Sequence, residues 1–214
     1  MPRKQFDLIV FDWDGTLMDS TATIVASMQA AARDLGLPVP DDRSAAHVIG
    51  LGLQDAMKTV LPDLDPKSYP RMVERYRYHY LSQDQTLTLF DGVKEMLDDL
   101  ASQGYFLAVA TGKSRVGLSR ALSTAGLMSV FDSTRCADET FSKPHPAMLQ
   151  EITRELGQDM HPFPFKQHFQ FTLLHGFALG HIAHHNHHII IPDVKHANFV
   201  VFRAKFRRGL IINH

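Results

Sequence analysis

The sequence predicts an α/β fold: a doubly wound parallel sheet carrying an inserted, all-helical segment. Three observations predict it. Two short, continuous apolar runs, Leu8-Ile9-Val10-Phe11 and Phe106-Leu107-Ala108-Val109-Ala110, suit strands buried on both faces of a sheet. Segments with helical apolar spacing follow the second run, and strands alternating with helices imply parallel pairing through crossovers. Between the two runs, residues 18–85 carry helical spacing and no good strand.

The elements follow in chain order. The first run ends at Asp12, where the chain must turn, and Gly15 permits the turn. Ile24, Met28, Ala31, Ala32 and Leu35 mark the first helix of the insert. Leu53 to Val60 suggests a second, and Met72, Val73, Tyr76 and Tyr80 mark a third. Tyr76, Tyr78 and Tyr80 are expected to pack this insert. Val93, Met96, Leu97 and Leu100 then fall at i, i+3, i+4 and i+7, with Gly104 as a stop. The second run ends at Thr111-Gly112. Leu118, Ala121, Leu122 and Ala125 repeat the helical spacing before Gly126, and Met148, Leu149, Ile152 and Leu156 do so before Gly157. A glycine after each periodic segment fits C-terminal capping. The expected organisation is an α/β core at 1–17 and 86–160, a helical insert at 18–85, and a distinct tail at 161–214.

Composition narrows the class. The 214 residues suit one large domain or a core plus a small insert. A single cysteine, Cys136, excludes an internal disulfide and fits a reducing cytoplasm. No apolar run reaches the roughly 18 residues of a membrane span. The first seven residues lack the apolar stretch of a secretory signal, so a cytoplasmic protein is expected. A formal net charge of -1 offers no global attraction to nucleic acid or a membrane surface.

The chemistry concentrates at the strand ends. In an open parallel sheet, ligands bind beyond the carboxyl ends of the strands. Asp12 and Thr111 both sit at such ends, so they can share a site although they lie far apart in sequence. Asp12-Trp13-Asp14-Gly15-Thr16 places two carboxylates at i and i+2 on the turn leaving the first strand. One carboxylate can attack phosphorus, and the other can protonate a leaving oxygen and then activate water. Paired carboxylates also attract Mg²⁺, which prefers hard oxygen ligands. The alternative for this segment alone is an acidic turn of ordinary Asp-Gly-Thr type. Thr111 alone fits a helix cap or turn as well as a phosphate contact. Lys143 alone fits a solvated surface lysine as well as a compact positive charge in a site.

Several separated segments agree on one family. Phe11-Asp12-Trp13-Asp14-Gly15-Thr16-Leu17-Met18-Asp19-Ser20 resembles the first motif of the haloacid dehalogenase superfamily. Thr111-Gly112-Lys113 resembles its second motif, and Ser142-Lys143-Pro144-His145-Pro146 its third. The helical insert is similar to the superfamily's cap, with Gly50-Leu51-Gly52-Leu53 in place of the cap's substrate loop. Within the superfamily, the phosphoglycolate phosphatase-like group matches best. The resemblance covers about residues 5–158. It implies a Mg²⁺-dependent phosphatase acting on a small phosphorylated metabolite through an aspartyl phosphate. Asp12 would be the nucleophile and Asp14 the acid/base. Thr111, Gly112 and Lys143 would hold the phosphoryl group, and Asp12 and Asp14 would serve the metal. Asp14 favours phosphate esters over haloacids, because the dehalogenases lack this second aspartate. Arg115 offers either an anion contact or a charge in a first helical turn. Cys136 and His145 are expected to be structural. A phosphosugar mutase, which shares both aspartates, is an alternative.

The tail departs from that pattern. Residues 1–160 carry 16 Lys and Arg against 22 Asp and Glu, whereas 161–214 carry 6 against 1, together with 10 of the 13 histidines. The superfamily's fourth motif should bring an aspartate near positions 168–176, yet His168 to Gly176 contains no carboxylate. Asp193, after Ile189-Ile190-Ile191-Pro192, is the remaining candidate for a third acidic metal ligand. His181, His184, His185, His187 and His188 are dense enough to bind Zn²⁺ or Ni²⁺ adventitiously. The abrupt change near Met160 suggests a shifted reading frame or a fused segment. On that reading the chain is a catalytically impaired or non-catalytic homologue, and the sheet lacks a strand beside the first, with an exposed edge there.

Overall fold

The computed structural model describes residues 8–157 and the strand Phe199–Phe202. The elements in order are β1 (Leu8–Phe11), α1 (Thr21–Asp34), α2 (Asp42–His47), α3 (Leu53–Val60), α4 (Tyr69–Gln83), α5 (Val93–Ser102), β2 (Phe106–Thr111), α6 (Arg115–Ala125), β3 (Ser133–Cys136), α7 (Ala147–Glu155) and β4 (Phe199–Phe202). The four strands among the described residues form one sheet in the order β3-β2-β1-β4.

β1 and β2 pair in parallel, with Leu8 opposite Phe106 and Phe11 opposite Val109. β3 adds to β2 in parallel, with Ala108 opposite Ser133 and Thr111 opposite Cys136. The period-2 alternation of a strand sorts side chains to opposite faces. Ile9, Phe11, Leu107 and Val109 pack with Val93, Leu97 and Leu100 of α5 and with Leu118 and Leu122 of α6. Leu8, Val10, Ala108 and Ala110 pack on the other face against Met148 and Ile152 of α7. Helices on both faces explain why every residue of β1 is apolar and buried.

The helices end where the glycines predict. α6 closes at Gly126, in the left-handed region at φ 71°, with its N–H returned to the Leu122 and Ser123 carbonyls. Gly104 and Gly157 adopt the same hand after α5 and α7.

The insert has a core of its own. Met28, Ala31 and Ala32 of α1 meet Ala45, Ala56 and Met57 of α2 and α3, and Tyr69 and Met72 of α4. At its edge, Asp34 of α1 accepts hydrogen bonds from Arg75 and His79 of α4, and both hold its carboxyl below the usual carboxylate range. α3 spans the expected Leu53–Val60. α2 has no counterpart in the apolar spacing, because six residues complete too few turns to repeat it. Its signal is local: Asp41 accepts a hydrogen bond from the Ser44 N–H at 2.8 Å, an N-cap.

Two features of the sheet differ from expectation. β3 reads Ser-Thr-Arg-Cys, too polar to stand out as an apolar run, yet its ends Ser133 and Cys136 are buried. The expected exposed edge beside β1 is not found. β4 pairs with β1 antiparallel, Leu8 opposite Phe202 and Phe11 opposite Phe199, so the sheet is parallel over three strands and mixed overall. The Phe-Val-Val-Phe run is rich in aromatic and β-branched residues, which suit a pleated strand, and its backbone satisfies the free edge of β1. The other readings of the tail, including Asp193 and the histidine cluster, lie outside the described residues. Among the described residues, no helix is long and apolar enough to cross a membrane.

Leu97 is fully buried on α5 and Val116 is 73% exposed on α6. Leu97→Ala is expected to cost about 2–5 kcal/mol in urea unfolding. Val116→Ala should stay within about 0.5 kcal/mol of the parent.

Candidate active site

Parallel pairing aligns the carboxyl ends of β1 and β2 at one edge of the sheet. Asp12 follows directly on β1, and Thr111 ends β2. Beyond β1 the side chains continue to alternate. Trp13 turns into the core and is fully buried, which leaves Asp12 and Asp14 together on the site side. Gly15 makes the turn at φ 70°, and a Cβ there would lie 2.9 Å from Thr21 Oγ1. A side chain is therefore excluded by both backbone conformation and space.

Lys143 comes from the loop between β3 and α7. Its Nζ lies 3.0 Å from Asp12 Oδ2 and donates to the Ala110 carbonyl at 3.3 Å. The other Asp12 oxygen, Oδ1, accepts from the Trp13 N–H at 2.7 Å. Thr111 is fully buried, and its Oγ1 accepts from the Lys113 N–H at 3.2 Å. Asp12, Asp14, Thr111, Gly112 and Lys143 are thus gathered from three loops at the strand ends.

The insert reaches this edge through its loop between α2 and α3. The Gly52 N–H donates to Ser142 Oγ at 2.9 Å, beside Lys143. A Cβ on Gly50 would sit 2.8 Å from Asp12 Oδ2 and 3.5 Å from Lys143 Nζ. A Cβ on Gly112 would sit 2.1 Å from the Leu51 carbonyl oxygen. Glycine at both positions is what lets the loop lie against the strand ends at this distance.

Lys113 and Tyr80 belong to the site although the sequence reading gave them no part in it. Lys113 Nζ lies 3.2 Å from Asp14 Oδ1 and donates to Tyr80 Oη at 2.9 Å. Tyr80 sits on α4 and is buried, so it does more than pack the insert as expected. Burial pulls the Lys113 ammonium towards release of its proton. The Asp14 carboxylate and the Tyr80 hydroxyl oppose this, and the net result lies above the ordinary lysine value. Burial, reinforced by Asp14, pushes the Tyr80 hydroxyl up. The available signal was Lys113 inside the Thr-Gly-Lys segment; the partner Tyr80 had none, since only folding brings α4 to the end of β2.

Three other candidates resolve simply. Arg115 is committed to Glu139, to Thr134 Oγ1 at 2.8 Å and to the Thr134 carbonyl at 3.0 Å, so it pins α6 to β3 and its following loop. Cys136 is fully buried, and burial pushes its thiol up to about 12. His145 accepts the Ala147 N–H at 3.2 Å and packs against Phe141, a local role at the start of α7. Among the described residues, no three His, Cys, Asp or Glu side chains converge as a metal cluster. Asp12 and Asp14 remain a pair of hard carboxylates. Such a pair suits Mg²⁺, which is commonly held by one or two carboxylates with water and substrate oxygens completing its shell.

Residues 9–162 match the family described as haloacid dehalogenase-like hydrolase. The match ends beside the compositional change near Met160. The chain is 39% identical over 158 residues to the probable phosphatase IndB of Dickeya dadantii, across 71% of this chain and 68% of that one. It is 33% identical over 132 residues to the tyrosine-protein kinase PtkA of Mycobacterium tuberculosis, across 61% of this chain but only 44% of that relative's length. Among solved structures, a predicted phosphoglycolate phosphatase from Haemophilus somnus superposes with a TM-score of 0.61 at 28% identity, over 72% of this chain and 73% of that one.

Gly112→Ala should lift the 50–52 loop, because the new methyl would overlap the Leu51 carbonyl. Amide hydrogen exchange at Gly50 to Leu53 is expected to rise by about tenfold, as for a local opening. Cys136 should resist a thiol reagent at pH 8 until the protein unfolds. Its raised thiol contributes stability that is present below the ordinary thiol value of 9.0 and is lost as pH rises through about 12. The stability difference between the protein and Cys136→Ala should therefore shrink across that range in urea titrations.

Proposed function

Since the chain belongs to the haloacid dehalogenase-like hydrolases, we propose that it is a Mg²⁺-dependent phosphatase acting on a small phosphomonoester, phosphoglycolate-like in size and charge. The observation that carries this reading is Lys143 Nζ 3.0 Å from Asp12 Oδ2, with Asp14 two residues on and Thr111 at the neighbouring strand end. A nucleophilic carboxylate, a second carboxylate able to move a proton and a compact cation suit phosphoryl transfer, whose catalysis is mainly positioning and neutralisation of charge. The names of the relatives support the same class: a probable phosphatase and a predicted phosphoglycolate phosphatase.

Asp12 attacks phosphorus while the bond from phosphorus to the ester oxygen breaks. Asp14 gives its proton to that oxygen, so the alcohol leaves neutral. The product on the enzyme is an aspartyl phosphate at Asp12. Asp14, now a carboxylate, takes a proton from water as the water attacks phosphorus. Inorganic phosphate leaves, Asp12 is restored as a carboxylate, and Asp14 again holds its proton. Lys143 balances charge beside Asp12, and Thr111 with the Gly112 backbone holds the phosphoryl oxygens. Asp12 and Asp14 would hold Mg²⁺, which when bound neutralises charge on the transferring group. Residues 18–85 act as a lid whose 50–52 loop excludes water from the reacting centre.

The test is phosphate release from a panel of small phosphomonoesters, phosphoglycolate included, with and without Mg²⁺. Release should require Mg²⁺ and fall by at least about 10³-fold in Asp12→Asn, as expected when a nucleophile is removed. No release above that control from folded protein would instead favour a non-catalytic homologue. A phosphoenzyme that forms but resists water would favour a phosphosugar mutase.

A further inference from the structure

We infer that Lys113 and Tyr80 are positioning residues that couple the seating of the helical insert to the orientation of the Asp14 carboxylate. The inference rests on the proposed reading of Asp14 as the acid/base. Among the described residues, Asp14 Oδ1 has two partners, and both tie it to the insert. Ser20 Oγ donates to it at 2.8 Å, and Ser20 is the fully buried N-cap residue of α1, where the insert begins. Lys113 Nζ lies 3.2 Å from the same oxygen and donates to Tyr80 Oη at 2.9 Å, near the end of α4, where the insert returns to the core. One carboxylate oxygen is therefore held from both connections of the insert.

The grip through Tyr80 is stiff. The Lys113 ammonium also lies over the Tyr80 ring, 4.7 Å from its centroid, and that ring stacks on Tyr76 at 5.8 Å. A third contact, Arg120 of α6 to Asp84 at 2.5 Å, fixes the end of α4 to the core one turn further on. Lys113 itself lies two residues past the end of β2, and its backbone is tied there: its N–H donates to Thr111 Oγ1 at 3.2 Å and its carbonyl accepts from the Ala137 N–H at 3.0 Å. A shift of α4 moves the Tyr80 hydroxyl away from the ammonium, and the ammonium is then free to leave Asp14. A lid that seats only when substrate is enclosed thereby delivers Asp14 in a fixed orientation only at that moment, which is how induced closure completes a site.

The discriminating readout is dependence on the leaving group. A poor leaving group needs the proton from Asp14, and a good one needs it much less. Tyr80→Phe keeps the ring, its stacking and its contact with the ammonium, and removes only the hydroxyl. It should lower kcat about tenfold or more on an alkyl phosphate, since small misplacements of a catalytic group are costly. On p-nitrophenyl phosphate the loss should stay below about twofold, with KM little changed. Lys113→Met should deepen the same pattern, and Lys113→Arg should restore part of it. Equal losses on both substrates, or a change in KM alone, would overturn the coupling. Asp14→Asn supplies the reference: if it shows no dependence on the leaving group, the reading of Asp14 fails rather than the link to the insert. Hydrogen exchange judges the link without turnover. Tyr80→Phe should raise exchange in residues 14–20 together with α4, and unchanged exchange at 14–20 would sink the inference even in an inactive chain.

Discussion

Parallel pairing of β1 with β2 is the constraint from which the rest of the site follows. The register sets Phe11 against Val109, so Asp12 and Thr111 emerge at the same edge although about a hundred residues separate them. The pairing holds because both faces of both strands are covered: α5 and α6 lie on one side and α7 on the other. A four-residue strand buried to this extent cannot slip by one residue without sending its side chains to the wrong faces. The positions of the candidate reacting groups are thus inherited from a packed sheet rather than from the loops alone, and sites on rigid elements are held more closely.

The second organising feature is charge. Two carboxylates and two ammonium groups meet at one sheltered edge, paired as Asp12 with Lys143 and Asp14 with Lys113. The four side chains are between 11% and 18% exposed, so each has given up most of its hydration. Pairs of this kind are weak stabilisers, because desolvation offsets much of the Coulomb attraction, and apolar residues of similar volume often do as well. Their presence suits the proposed phosphoryl transfer, which needs opposed charges in fixed places. Each pair also joins chain segments remote in sequence, so the charges register the loops against one another.

The insert completes this arrangement without contributing a carboxylate. Gly50, Leu51 and Gly52 approach Asp12, Gly112 and Ser142 at distances that leave no room for side chains at either flanking glycine. Tyr80 reaches the site from the opposite end of the same insert. The insert has its own apolar core and is joined to the sheet edge by polar contacts from Gly52, Tyr80 and Asp84. Interfaces of this character favour motion of one body against another.

Much of the fold, and part of the candidate site, was legible in the sequence. Leu8 to Phe11, Phe106 to Ala110 and the spacing of Leu97, Leu118 and Ile152 determine which segments are buried, since apolar period and length are local properties. Asp12 and Asp14 were legible as two carboxylates on the turn leaving a strand, which is a local pattern, whereas Thr111 and Lys143 were ambiguous locally and came only through the resemblance to the haloacid dehalogenase superfamily. α2 and β3 were not, because six residues and a Ser-Thr-Arg-Cys tetrapeptide carry no apolar period. The pairing of β4 with β1 was not, because Phe199 to Phe202 lies far along the chain in a segment of foreign composition. Only the tertiary structure decided that Tyr80 meets Lys113, that Ser20 and Lys113 share one oxygen of Asp14, and that Arg115 is committed to Glu139. These are contacts between side chains whose separation in space depends on how whole elements pack, and no local pattern encodes that.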